Sequence, residues 1–344
     1  MSSRINAIQS LRAGAAIMVL ASHALLYPYA IADQPLVFGR LGWLGVILFF
    51  VVSGFIMVAV TGQGRFGARG FLQRRILRVV PLYWAFTLAA AALALLVPSL
   101  FRTTVFDGQQ LAMSLAFIPF YNPTSHGLHP LYKLGWTLNY EMFFYVVFAM
   151  LAVLTARRRV LVLTLAFSGL SLVGLVAHPE SAIPAFYTSY MPLAFVAGAW
   201  LGLAHIEQRL QALPRSAALV LAAIGLAGLV EGFWFDRGVI EDAAAFLGFL
   251  AFATAAVTLF VGFDSKLPSL KPLEQLGDAS YSIYLVHIFA VAAIAGVLMR
   301  VLEPQTVAAF VGIAAIAMGG GIIAGWAVYA LVEKPLMARL RRLI

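Results

Sequence analysis

An arginine and a histidine stand eleven residues apart in an apolar stretch near the start of the chain, from Leu11 to His23. At about 100° and 1.5 Å per residue, Arg12 and His23 share one face of a helix, with His23 about 16 Å further along the axis. An arginine within a membrane helix costs about 2.5–3.5 kcal/mol on insertion scales, so such a stripe is expected to face a protein interior or aqueous cavity and to mark a functional site. The competing reading has Arg12 snorkelling to the interface and His23 merely accommodated. Histidine is the side chain best suited to general-base work near neutral pH, and a carboxylate beside it would fix its tautomer.

Other residues could contribute. Tyr284 and His287, three apart in Ser280-Tyr281-Ser282-Ile283-Tyr284-Leu285-Val286-His287, share a helix face. Arg75 and Arg78, in Arg74-Arg75-Ile76-Leu77-Arg78 ahead of Pro81, point the same way if that segment is helical and could clamp phosphate oxygens. The alternative for that pair is topology or lipid headgroup contact. His126 and His129 have the spacing of metal ligands, but no carboxylate or third histidine lies close by; an ordinary polar loop is expected, and no metal.

The elements that must hold these residues follow from composition. The chain has 344 residues, of which 62% are hydrophobic and 11% charged, and its mean hydropathy is +0.94. These values lie far outside the range of water-soluble domains and predict an all-α polytopic integral membrane protein, with residues 1–344 forming a single integral membrane domain in contact with the bilayer. A net charge of +9 could suggest nucleic acid, but the basic residues cluster in alternate connections, which is the positive-inside pattern and leaves no need for such a partner. With no cysteine, disulfides, thiolate metal sites and a cysteine nucleophile are excluded. The N-terminal stretch imitates a signal peptide ending at Ala30-Ile31-Ala32, but Arg12 interrupts its apolar region and the run is long enough to span.

Ten spans are expected, at about residues 7–28, 42–61, 79–97, 135–155, 160–177, 186–205, 216–233, 242–262, 280–300 and 306–331. With both termini cytoplasmic, seventeen of the 23 basic residues fall on the cytoplasmic side: Arg4; Arg65, Arg69, Arg74, Arg75 and Arg78; Arg157 to Arg159; Arg209 and Arg215; Lys266 and Lys271; Lys334, Arg339, Arg341 and Arg342. Arg40, Arg102, Lys133, Arg237 and Arg300 fall outside, and Arg12 within the membrane. This asymmetry sets the orientation. The long outer connection, residues 98–134, contains an apolar stretch from Leu111 to Phe120 that is too short to span and is expected at the surface. Gly319-Gly320-Gly321 in the last span reads as a close helix contact. Counting depth from the span ends puts His23 level with Glu141, so the two can pair as base and orienting carboxylate, or as a purely structural pair. The same counting puts His287 in the inner half, nearer the level of Arg12.

Taken together, the motifs resemble the membrane-bound acyltransferase 3 family, in particular members that O-acetylate bacterial exopolysaccharides. The resemblance rests on Ile5-Asn6-Ala7-Ile8-Gln9-Ser10-Leu11-Arg12 leading to His23, and on Gly45-Val46-Ile47-Leu48-Phe49-Phe50-Val51-Val52-Ser53-Gly54-Phe55. It continues through Arg75 and Arg78 before Pro81, Trp136-Thr137-Leu138-Asn139-Tyr140-Glu141, the segment Ser280 to His287, and Glu333-Lys334-Pro335. It implies ten spans in the bacterial inner membrane and transfer of an acyl group, acetyl by default, from cytosolic acyl-CoA to a hydroxyl of a glycan or lipid-linked sugar. It also implies that Arg12 and His23 are needed, and that Arg75 and Arg78 take part in donor handling. Catalytic roles are therefore expected for His23 and Glu141, and contacts with the acyl-CoA co-substrate for Arg12, Arg75, Arg78, Tyr284 and His287.

One departure stands out: the family usually has an acidic residue where this chain has Ile47, which argues against a mechanism needing two acids there. Some relatives append a soluble hydrolase-like domain, and none is expected here. The alternative function is a transporter or flippase of a glycan precursor, which would also use intramembrane charge.

Overall fold

The computed structural model describes residues 5–29, 36–98, 104–211, 214–234, 242–266 and 268–340. Arg4, Ala30-Ile31-Ala32, Arg102, Arg237, Arg341 and Arg342, which entered the topology and signal-peptide expectations, lie outside the described residues. Among those described, all regular structure is helical. In chain order the helices are α1 (Asn6–Tyr29), α2 (Leu36–Thr61), α3 (Ala68–Leu96), α4 (Gly108–Leu115), α5 (Gly135–Met150), α6 (Ala156–Ala177) and α7 (Ala182–Tyr187). They continue with α8 (Leu193–Ile206), α9 (Arg215–Trp234), α10 (Ala243–Gly262), α11 (Lys271–Asp278), α12 (Ser280–Leu302), α13 (Val307–Val328) and α14 (Lys334–Leu340).

Eight of these, α1, α2, α3, α6, α9, α10, α12 and α13, are long and apolar enough to cross a membrane, and the chain is a multi-pass membrane protein. The other two expected spans take a different form. Residues 135–155 give the 16-residue α5, and residues 186–205 are interrupted, leaving the 14-residue α8 after the short α7. Pro192 stands in the interruption and cannot donate a helical hydrogen bond. At 1.5 Å per residue, helices of these lengths reach about 21–24 Å, short of the roughly 30 Å hydrocarbon core.

The chain divides into two compact units, one of residues 1–62 and 197–335, the other of residues 63–196 and 336–344. In the first unit α1 is the centre, packing against α2, α11, α12 and α13. Its contact stripe is built from small residues, Ala16, Ala24 and the larger Leu20, facing Ile283, Val291 and Ala295 of α12 and Ala314 and Ala317 of α13. Small side chains let helix backbones approach where lipid supplies no hydrophobic drive between helices. Gly277 shows how close the approach is, because a Cβ there would lie 2.0 Å from the Gln9 carbonyl oxygen. Gly321 serves the same purpose on α13, where a Cβ would meet Leu20 at 2.8 Å, and a Cβ on Gly320 would meet Ile294 at 2.1 Å, so two of the three consecutive glycines make the close contact expected. The first turn of α1 is tied down by Asp264, whose Oδ1 accepts from the Ala7 amide at 2.7 Å and satisfies one of the donors a helix start leaves open. After α13 the chain makes a π-helical turn, Tyr329–Glu333, just ahead of Pro335. Its buried Glu333 accepts a 2.5 Å hydrogen bond from Ser282 of α12.

In the second unit α3 corrects the expectation of a basic connection before a span at 79–97. The helix begins at Ala68 and runs 29 residues, about 43 Å, through Pro81. That exceeds a bilayer core by about nine residues, so Arg69 to Arg78 form the helical extension rather than a loop. Arg159, expected only as a topology charge, is fully buried. Its guanidinium donates to the carbonyls of Gly64 and Leu154, both at 2.9 Å, and of Leu151 at 3.4 Å. It lies over the rings of Phe66 and Phe148, 4.5 and 5.1 Å from their centroids. The apolar stretch after residue 110 forms α4, capped by Asp107 and docked on α3 through Tyr83 and Trp84, which donate to the carbonyls of Ser114 and Leu115.

Candidate active site

His23 lies near the C-terminal end of α1, half-buried, and its ring folds back one turn so that Nδ1 lies 2.9 Å from the Val19 carbonyl oxygen. A carbonyl only accepts, so Nδ1 carries the proton and Nε2 keeps its lone pair. On α12, His287 is completely buried. Its Nδ1 lies 2.7 Å from the Tyr284 carbonyl and 3.2 Å from that of Ile283, so it too is protonated at Nδ1. Its Nε2 then faces His23 Nδ1 at 3.2 Å as an acceptor, with the ring centroids 5.0 Å apart. Tyr284, 6.0 Å from the His287 ring, and Phe49 of α2, edge-on to Tyr284 at 6.1 Å, form an aromatic wall beside the pair.

This pairing corrects the depth assigned to His287, which belongs with His23 and not at the level of Arg12. Depth counting treats helices as upright rods with common ends. Here the contacts Gln9 to Gly277 and His23 to His287 span 14 residues on α1 but 10 on the α11–α12 arm, about 21 against 15 Å of helix. A difference in inclination between packed helices moves a residue by a turn. Arg12 donates at 3.0 Å to Gln9 Oε1, one turn back on the same helix, a partner its i−3 spacing could have indicated. Ile47, at the position where an acid is usual, is fully buried and apolar.

Glu141 belongs to the second unit, where its carboxylate accepts a short hydrogen bond from Tyr145 Oη, one turn further along α5. The i+4 spacing of Tyr145 from a membrane carboxylate is the signal in the sequence that points to it. The Arg75 guanidinium carbon sits 5.6 Å from the Phe71 ring and 5.8 Å from the Tyr145 ring, so Arg75, Tyr145 and Glu141 form one cluster. The Arg75 Nε is buried without a hydrogen-bond partner among the described residues. Arg75 and Arg78 are one turn apart on α3, as phosphate clamping requires. His23 and Glu141, expected as base and orienting carboxylate, belong to different compact units. In the long connection, His129 Nδ1 lies 3.4 Å from Ser125 Oγ, and burial followed by the charge of Lys133 lowers its pKa from the ordinary histidine value.

Every one of these residues falls within a single family match: the acyltransferase 3 family model, described as an acyltransferase domain, covers residues 5–329. The chain belongs to the acyltransferase 3 family. It is an enzyme fold for moving acyl groups, and the matched region takes in most of both compact units of this acyltransferase. It is also 34% identical over 315 residues to the exopolysaccharide production protein ExoZ of Rhizobium meliloti (strain 1021), covering 87% of this chain and 90% of that protein. No solved structure matches the chain.

Proposed function

We propose that this acyltransferase moves an acetyl group from cytosolic acetyl-CoA, or a related acyl group from its acyl-CoA, to a hydroxyl of an exopolysaccharide or other cell-surface glycan. It works in the bacterial inner membrane with both termini in the cytoplasm. The observation that carries the chemistry is the His23 ring, whose Nδ1 proton is engaged by Val19 and His287 while Nε2 keeps a lone pair. Similarity to a protein named for exopolysaccharide production supports the acceptor class.

In this reading His23 Nε2 takes the proton from the acceptor hydroxyl as its oxygen attacks the thioester carbonyl. The C–S bond breaks, and the proton passes from His23 to the departing thiolate, so histidine and free CoA thiol are restored. Arg75 and Arg78 hold donor phosphates, and the Arg75 Nε, without a partner among the described residues, is a donor available to an anion. Arg12, about 16 Å from His23 along α1, acts on the extended arm of the donor and sets how far the thioester reaches. Tyr284 lines the pair's aromatic wall, and Glu141, held by Tyr145, tunes the Arg75 cluster.

Mass spectrometry of exopolysaccharide from cells with and without the gene tests this. Loss of acetyl substituents, restored by the wild-type chain and not by His23→Ala, is the expected result. Unmodified polymer accumulating inside the cell with no change in acetylation would instead indicate a transporter.

A further inference from the structure

The proton positions in the histidine pair are dictated from one end. His287 is fully buried, and both carbonyls of its own helix turn hold Nδ1–H, so Nε2 is left as an acceptor whose direction the α12 backbone fixes. His23 Nδ1 lies within reach of that acceptor and of the Val19 carbonyl, and both accept. The opposite tautomer of His23, with the proton on Nε2, would leave a bare Nδ1 lone pair facing a carbonyl oxygen and an imidazole lone pair. That arrangement is repulsive on both sides.

We infer that His287 is a positioning residue that holds His23 in the Nδ1–H tautomer and so keeps Nε2 as the basic atom, doing with a neutral imidazole what an acidic partner does in other hydrolytic and acyl-transfer dyads. This rests on His23 being the base. When His23 Nε2 accepts the acceptor's proton, the charge on the imidazolium strengthens the Nδ1–H···Nε2 bond to His287, so the contact is tighter in the transition state than before it. His287 thereby leaves the set of donor-binding residues. Ile47 is consistent with this assignment, since the dyad supplies an orienting acceptor without a carboxylate at that position.

The geometry of α1, α12 and α13 serves the dyad. Gly321 leaves room for Leu20, two residues from Ser22 and three from His23, and a Cβ on it would also touch His287 Cβ at 3.7 Å. Ser282, five residues before His287, is pinned to Glu333.

The test uses the full chain, purified into lipid nanodiscs with ¹⁵N-labelled histidine, as wild type, His287→Ala, the volume-conserving His287→Gln, and His23→Gln to assign the His23 resonances. The expected wild-type spectrum shows neutral His23 protonated at Nδ1. His287→Ala should move His23 toward the Nε2–H form and lower kcat at least about tenfold, with the acetyl-CoA KM changed by no more than about twofold. His287→Gln, whose Oε1 can stand near the Nε2 position, should recover part of both. An unchanged His23 tautomer and kcat in folded His287→Ala would overturn the inference, and so would a raised donor KM at constant kcat, which would return His287 to the donor site. Wild-type kcat in His23→Gln would instead refute the base assignment, while the tautomer comparison would still decide what His287 does to His23.

Discussion

Two arginines carry the same guanidinium into opposite jobs. Arg159 is consumed by structure: three carbonyls accept from it, and two phenylalanine rings cover its faces. Replacing it by methionine orphans those acceptors, each worth about 1–3 kcal/mol when buried, so Arg159→Met should lower the thermal midpoint in detergent while leaving activity per folded molecule unchanged. Arg159→Lys should recover only part of the stability, because one ammonium cannot reproduce the planar fork. Arg75, whose buried Nε has no hydrogen-bond partner among the described residues, should behave in the opposite way. Charge-assisted pairs to phosphate are worth about 1.5–3 kcal/mol, so Arg75→Ala should raise the acetyl-CoA KM about tenfold or more with little loss of stability, and an unchanged KM in a folded Arg75→Ala, Arg78→Ala double variant would assign the pair to topology. The identity of these residues was legible in the sequence, because charge in a membrane chain is conspicuous. Their partners were not. Nothing in Arg157-Arg158-Arg159 distinguishes the third arginine as the one that turns inward to the Gly64 carbonyl, 95 residues away.

Helices were legible where apolar length alone defines them, as for α1, α2, α9, α10, α12 and α13, whose ends fall within a few residues of the expected spans except at the start of α2. The exceptions have local causes. Basic residues stopped the expected third span at residue 79, but arginine is a good helix former, and α3 continues through the whole run. Depth counting failed for His287 because inclination is a property of packing, and packing here is set by which residues are small. That dependence gives a paired prediction. Gly277→Ala would drive a Cβ into the Gln9 backbone, where no side chain can move aside, and should destabilise by about 1–3 kcal/mol and reduce transfer by displacing α1. Gly319→Ala, two residues before the Leu20 contact, meets nothing within 4 Å and should be neutral or stabilising by up to about 1 kcal/mol, through helix propensity. Thermal unfolding of the two variants side by side measures the contrast.

At the scale of the molecule, the positive-inside pattern predicts that the outer connection and the basic helix ends lie on opposite sides of the membrane, and the absence of native cysteine makes this directly testable. Ser125→Cys should react with a membrane-impermeant maleimide added to intact cells, whereas Arg157→Cys should react only after permeabilisation; the reverse pattern would invert the orientation. The family match spans both compact units, with the histidine dyad in one and the Arg75, Tyr145 and Glu141 cluster in the other. The proposed reaction assigns proton transfer to the first and donor charge to the second. The measurement that bears most directly on this is transfer of labelled acetyl from acetyl-CoA to exopolysaccharide by purified protein in liposomes, following label in the glycan and release of CoA thiol together. Wild type should show equal amounts of both. His23→Ala should be inserted and folded, bind acetyl-CoA with nearly wild-type affinity, and transfer about 10²–10⁴-fold more slowly. Wild-type transfer by folded His23→Ala, or glycan movement across the bilayer without thioester consumption, would contradict the account.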